Sequence, residues 1–183
     1  RRQRQMCIRD SGSLAIMTDG SLWSCSVEYD DYYITDDAIS ACEDGEANCY
    51  VIKTDHSLWL TEMFSEDDTS TGTEIAHGYK DVASFANELG AEGWPEFVLL
   101  DADNVLYYLD YIDGDGNLQL KKIADNIAAF AFSSVTVEND CGTHLCIDTS
   151  GQLYAFGKNH YGVFGKGRTA GYSDTPVTVA FPN

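Results

Sequence analysis

The chain has 183 residues, of which 30 are Asp or Glu and 11 are Lys or Arg, giving a formal net charge of −19. A field of that sign repels phosphate backbones, so the composition argues against DNA or RNA as a partner. No run of roughly 18 apolar residues occurs, so no membrane span is expected.

The first eleven residues stand apart. Gln5 to Ser11, QMCIRDS, resemble translated sequencing-adapter read-through of the kind found in assembled environmental reads. Residues 1–11 are therefore set aside as non-native, and the fold is expected to span 12–183. A short basic leader is the alternative. Without Arg1, Arg2, Arg4, Arg9 and Asp10 the balance becomes 7 basic against 29 acidic residues, a net charge of −22. The four arginines are not read as a nucleic-acid arm.

Beyond them the chain repeats. Asp-Gly-Ser-Leu-Trp at 19–23 returns as Asp-His-Ser-Leu-Trp at 55–59, Asp-Asn-Val-Leu-Tyr at 103–107 and Ser-Gly-Gln-Leu-Tyr at 150–154. The pairs Asp19-Gly20, Asp55-His56, Asp103-Asn104 and Ser150-Gly151 hold residue types that tolerate positive φ, so four two-residue type I′ hairpins are predicted. That turn length sets Ile16 opposite Trp23, Ile52 opposite Trp59, Leu100 opposite Tyr107 and Ile147 opposite Tyr154. Each cross-strand pair is worth roughly 0.2–1 kcal/mol. Leu14, Tyr50, Val98 and Leu145 extend the same apolar face.

The repeated leucines, Leu22, Leu58, Leu106 and Leu153, are 36, 48 and 47 residues apart, an interval that suits propeller blades of four short strands. Between hairpins a second element recurs as Asp37 to Ala41, Asp81 to Phe85 and Asn126 to Phe130, with the small and β-branched residues of an inner strand. No window carries a capped helical period. The predicted fold is all-β, a β-propeller of about four blades.

The last copy carries the most specific signature. Gly142, His144, Leu145, Gly151, Leu153, Tyr154, Phe156, Gly157, Asn159, Gly162, Gly165, Gly167, Pro176 and Val177 fall in a pattern that resembles the repeat of the regulator of chromosome condensation family. Val163 and Phe164 replace the usual Gln-Leu, and the earlier copies keep only hairpins and inner strands, as divergent blades would. The resemblance implies a propeller usually of seven blades. Four copies are then expected to be part of a larger ring, with the rest of the parent propeller as a partner.

Local chemistry is sparse. Among Cys25, Cys42, Cys49, Cys141 and Cys146 no zinc or redox spacing occurs. Cys42/Cys49 and Cys141/Cys146 could close small loops in an exported protein; packing as small apolar residues is the other reading. His56, His77, His144 and His160 do not pair on one element. Asp113, Asp115 and Asn117 have the alternating spacing of a calcium loop, but Leu118 and Ala124 stand where an EF-hand needs Gly and Glu, so a polar hairpin is preferred. No nucleophile motif, catalytic residue or cofactor is predicted.

The expected function is a non-catalytic binding module of an exported or cell-surface bacterial protein. Tyr29, Tyr32, Tyr33 and Trp94 are its candidate surface aromatics, with a protein or glycan as partner. An inhibitor or regulator of a partner enzyme or GTPase is the alternative, because the resemblance extends to propellers whose loops plug an enzyme. A carboxylate-based hydrolase ranks last.

Overall fold

A computed structural model describes residues 3–9, 12–25, 31–43, 48–63, 72–86, 95–132, 143–159, 162–167 and 171–179. Over them the chain forms sixteen strands and no helix. They are β1 (Gln3–Arg9), β2 (Gly12–Met17), β3 (Leu22–Cys25), β4 (Tyr32–Thr35), β5 (Ala38–Glu43), β6 (Asn48–Lys53), β7 (Ser57–Glu62) and β8 (Thr73–His77). There follow β9 (Tyr79–Ala86), β10 (Pro95–Asp101), β11 (Leu106–Ile112), β12 (Leu118–Ala124), β13 (Ile127–Phe132), β14 (Thr143–Asp148), β15 (Leu153–Lys158) and β16 (Tyr172–Thr178). Each consecutive set of four makes one antiparallel sheet, so each sequence copy is a four-stranded blade.

The chain divides into two compact units, Arg1–Ser84 with Tyr111–Gln119, and Phe85–Asp110 with Leu120–Asn183. In the first, Leu14, Ile16 and Leu22 of one sheet share a buried cluster with Ala41, Cys49 and Val51 of the next. In the second, Val98, Leu100 and Leu106 share one with Ile127, Cys146 and Phe156. Within each unit the earlier blade thus turns one face, its forward face, to the opposite, rear face of the blade that follows. Burial on both faces explains the runs Leu14-Ala15-Ile16, Tyr50-Val51-Ile52 and Val98-Leu99-Leu100, every member of which is buried. Each large aliphatic side chain so covered stabilises the fold by about 1.5–3 kcal/mol.

The hairpins differ from expectation by one residue. Ile16 faces Leu22 and Ala15 faces Trp23. Likewise Ile52 faces Leu58, Leu100 faces Leu106 and Ile147 faces Leu153. The loops hold three residues, not two: Gly20 N donates to Met17 O at 3.0 Å and Met17 N to Ser21 O at 2.9 Å. Only the last loop residue has positive φ, at Gly20 (88°), His56 (69°), Asn104 (68°) and Gly151 (88°). This is a type I turn closed by a left-handed residue, which needs one permissive position where type I′ needs two.

That left-handed residue also joins blades. Its carbonyl accepts from the next inner strand: Gly20 O from Ala38 N, His56 O from Tyr79 N, and Asn104 O from Ile127 N, at 2.8–3.1 Å. The residue before each inner strand is again left-handed, namely Asp37, Gly78 and Asn126. The structural counterpart of Asp37 and Asn126 is therefore Gly78, and the expected alignment on Asp81 was displaced by three residues.

Residues 3–9, set aside on sequence grounds, form β1 beside β2, with Gln5 opposite Ile16 and Cys7 opposite Leu14. The register shifts between Gln3 and Gln5, as it does between Ala38 and Ser40 in β5 and between Ile127 and Ala129 in β13.

Candidate binding surface

The repeated hairpins organise their carboxylates first. In the first two blades the acid sits mid-loop: Asp19 Oδ1 accepts from Ser21 N and Oγ at 3.1 and 2.7 Å, and Asp55 Oδ1 from Ser57 N and Oγ at 3.0 and 2.6 Å. The serine hydroxyl in turn accepts from the aromatic two residues on, Trp23 Nε1 at 3.0 Å and Trp59 Nε1 at 2.7 Å. Lys53 Nζ lies 4.5 Å above the Trp59 ring. Hydrogen bonds from Ser57 hold the Asp55 carboxyl below its usual range.

In the last two blades the acid held by the turn stands two residues earlier, at Asp101 and Asp148, and in the fourth no serine hydroxyl lies between it and the aromatic. Asp148 Oδ1 accepts from Ser150 Oγ and from the backbone of Ser150 and Gln152, while Tyr154 OH donates to Oδ2 at 3.1 Å. Those bonds lower the Asp148 pKa, and the bond to Asp148 raises that of Tyr154. Asp101 accepts from Val105 N at 2.7 Å; burial, then the Asp101 charge and hydrogen bond, raise the Tyr107 pKa.

The calcium-like stretch is a fifth copy of this turn. Gly116 N donates to Asp113 O and Asp113 N to Asn117 O, with Gly116 at φ 85°. Asp113 accepts from Asp115 N, Asn117 N and Nδ2, and Gln119 Nε2 at 2.9–3.2 Å, which lowers its pKa. The spacing of Asp113, Asp115 and Asn117 therefore follows from the hairpin itself. Among the described residues no three His, Cys, Asp or Glu side chains converge as metal ligands.

Of the predicted surface aromatics, Tyr33 is 42 % exposed and meets Trp23 edge to face at 5.5 Å. Burial, then a hydrogen bond with Asp36, raises its pKa. Tyr32, on the opposite side of the strand, is half-buried and packs against the first core cluster. Tyr29 and Trp94 lie outside the described residues. Sequence reasoning missed Tyr111 and Tyr172, which are 57 % and 65 % exposed. Tyr111 stands near the end of β11, two residues before the Asp113 turn, and Tyr172 opens β16 directly after Gly171.

The remaining titratable groups are built into the packing. Ser40 Oγ donates to Asp81 Oδ1 at 2.6 Å, joining the inner strands β5 and β9, and burial raises the Asp81 pKa. His144 lies between Phe132 and Phe156, with centroids 4.4 and 5.1 Å away, and burial lowers its pKa to about 4. Burial lifts the Cys146 thiol to about 11. Cys42 faces Tyr50 and Cys49 faces Glu43, so the two thiols leave opposite sides of their sheet. His56 Nδ1 donates to Tyr79 O at 3.0 Å, and His77 lies 3.7 Å from Glu74 on the surface. Cys141 and His160 lie outside the described residues.

In sequence, no family model and no curated protein matches the chain. In structure it is similar to human WBSCR16, with TM-score 0.59 and 13 % identity over 99 % of this chain and 54 % of that one. It is similar to Prp20p from Saccharomyces cerevisiae, solved in a study of its binding properties to Gsp1p and histones, with TM-score 0.61 and 11 % identity over 98 % of this chain and 50 % of that one. A third similarity is to BBS1N in complex with ARL6DN, with TM-score 0.54 and 10 % identity over 82 % of this chain and 46 % of that one. The chain thus spans about half the length of these structures. The first two are propellers of the regulator of chromosome condensation type, and the fold is a β-propeller.

Proposed function

We propose that this chain is a non-catalytic, protein-binding propeller module of an exported or cell-surface bacterial protein. The observation that carries the reading is the division of labour among its polar and aromatic groups. Asp19, Asp55, Asp101, Asp113 and Asp148 accept hydrogen bonds inside their own turns, whereas Tyr33, Tyr111 and Tyr172 keep much of their surface in solvent. Carboxylates held this way are poor general acids, and exposed tyrosines make low-entropy contacts with a protein partner. The structures solved for Prp20p, with regard to Gsp1p and histones, and for BBS1N with ARL6DN lend support from the same fold. A regulator of a partner enzyme or GTPase is the narrower form of the same reading.

The test is cross-linking of the purified chain to candidate surface proteins, beside a glycan array, with the triple variant Tyr33→Ala, Tyr111→Ala, Tyr172→Ala as comparison. Saturable protein cross-links lost in the folded triple variant are expected. Binding on the glycan array, or cross-links unchanged in that variant, overturns the proposal.

A further inference from the structure

Two turns of the first unit carry the same dipeptide at the same place. Asp19-Gly20 and Asp115-Gly116 each put an aspartate directly before the left-handed residue of a three-residue loop, with the glycines at φ 88° and 85°. In both, the glycine N–H closes the turn, Gly20 N on Met17 O at 3.0 Å and Gly116 N on Asp113 O at 2.9 Å. Both aspartates are exposed. What differs is how firmly the fold holds each pair.

The first pair is tied down at both residues. The Asp19 carboxylate accepts from Ser21 N and Oγ at 3.1 and 2.7 Å, and Gly20 O accepts from Ala38 N at 2.9 Å. The Asp37 backbone stands 3.5 Å from where a Gly20 Cβ would sit. In the other turn the equivalent donor, Asn117 N, is taken by Asp113 Oδ1 at 2.9 Å. Among the described residues none donates to the Asp115 carboxyl, and a Cβ at Gly116 would meet nothing within 4 Å. Asp113-Gly114 is a third such pair, but its carboxylate already accepts from Asp115, Asn117 and Gln119, which lowers its pKa. Asp44-Gly45 lies outside the described residues.

We infer that Asp115 is a modification site, at which the chain converts to isoaspartate without an enzyme and well ahead of Asp19 and Asp113. The Gly116 amide nitrogen bonds to Cγ of the protonated Asp115 carboxyl, and the amide proton and carboxyl hydroxyl leave together as water. A five-membered imide results, and glycine admits it because no Cβ blocks the approach. Water then opens the ring. Cleavage between the Asp115 main-chain carbonyl carbon and the nitrogen routes the backbone through Cγ and frees an α-carboxylate, whereas cleavage of the new bond restores aspartate. One water leaves and one returns, with no change of oxidation state. The glycine N–H bond that closes each turn is a cost common to Asp19 and Asp115. Asp19 and Asp113 must also release the donors on their carboxylates, and Gly20 its bond to Ala38. The product adds one backbone carbon inside the loop that Asp113 and Asn117 close. Its freed carboxylate is the group that a methyltransferase of the isoaspartate-repair class takes as substrate.

The test is prolonged incubation of the full chain in warm neutral buffer, folded and in denaturing urea. Peptide mapping by electron-transfer mass spectrometry then distinguishes aspartate from isoaspartate at each position. In the folded chain, conversion at Asp115 should run at least about tenfold faster than at Asp19 or Asp113. In urea the three sites should convert at similar rates, because the hydrogen bonds that protect two of them are gone. A folded chain in which Asp115 stays aspartate, or in which Asp19 or Asp113 keeps pace with it, overturns the inference. So does a ranking that urea leaves unchanged, because the local sequence and not the turn would then set the rates.

Discussion

The indole Nε1 of Trp59 donates to the hydroxyl of Ser57 at 2.7 Å, and that hydroxyl donates to Asp55 Oδ1 at 2.6 Å. The relay ties the aromatic between two blades to its own turn. In the fourth blade a phenol bonds Asp148 directly, and no serine stands between them. Ser57→Ala should therefore cost about 1–2 kcal/mol, since it leaves a half-buried indole N–H without its acceptor. Tyr154→Phe should cost no more than about 1.5 kcal/mol, the loss of one partly exposed bond. Urea titrations followed by tryptophan fluorescence check both, with an unchanged m value as the control.

The turn geometry makes a sharper prediction. Gly151 has φ 88° and open space around the missing Cβ, so Gly151→Val should destabilise by about 1–3 kcal/mol through backbone strain alone. Gly20→Val should behave alike, because its Cβ would sit an ordinary 3.5 Å from the Asp37 backbone. His56→Gly removes strain at φ 69° but gives up the bond to Tyr79 O, so its effect should stay within about 0.5 kcal/mol of zero. Thermal unfolding of the three variants separates these outcomes.

These turns also show what the sequence could convey. Four copies of one pentapeptide were enough for four blades, because a left-handed residue followed by an apolar pair is a local requirement. The register escaped because Asp-Gly and its variants suit two loops, of two and three residues, and only the hydrogen bonds of Met17 and Ser21 distinguish them. Asp81 attracted the inner-strand alignment because it matched Asp37 in type. The true match, Gly78, shares only a backbone angle with it. The surface was less legible still. Tyr32 and Tyr33 look equivalent in composition, and strand parity alone separates the half-buried one, packed against the core, from the more exposed one.

Asp81 should give stability a pH dependence of one sign. Burial raises its folded pKa, offset in part by Ser40 Oγ, Val82 N and the Lys80 charge. Its contribution is thus fully present below the ordinary Asp range and is lost as pH rises through the folded value. Asp81→Asn keeps an acceptor for Ser40 without the buried charge. The variant should match wild type near about pH 3 and exceed it in stability by pH 7, as chemical denaturation at both pH values would show. An equal offset at both pH values removes Asp81 as the source.

His144 should act in the opposite direction and in another window. Its imidazole is 5 % exposed between Phe132 and Phe156, and burial lowers its pKa from 6.5 to about 4. The unfolded chain then takes up a proton near pH 6.5 and the folded chain only near 4, so stability present above 6.5 is lost as pH falls through this range. A shift of that size corresponds to roughly 3 kcal/mol. His144→Phe keeps an aromatic ring in the stack and removes the titration. The measurement is the difference in unfolding free energy between variant and wild type from pH 7 to 4, which cancels the slopes common to both chains. It should grow in favour of the variant as pH falls. A flat difference means that the imidazole titrates alike in both states and that the stack leaves it open to water.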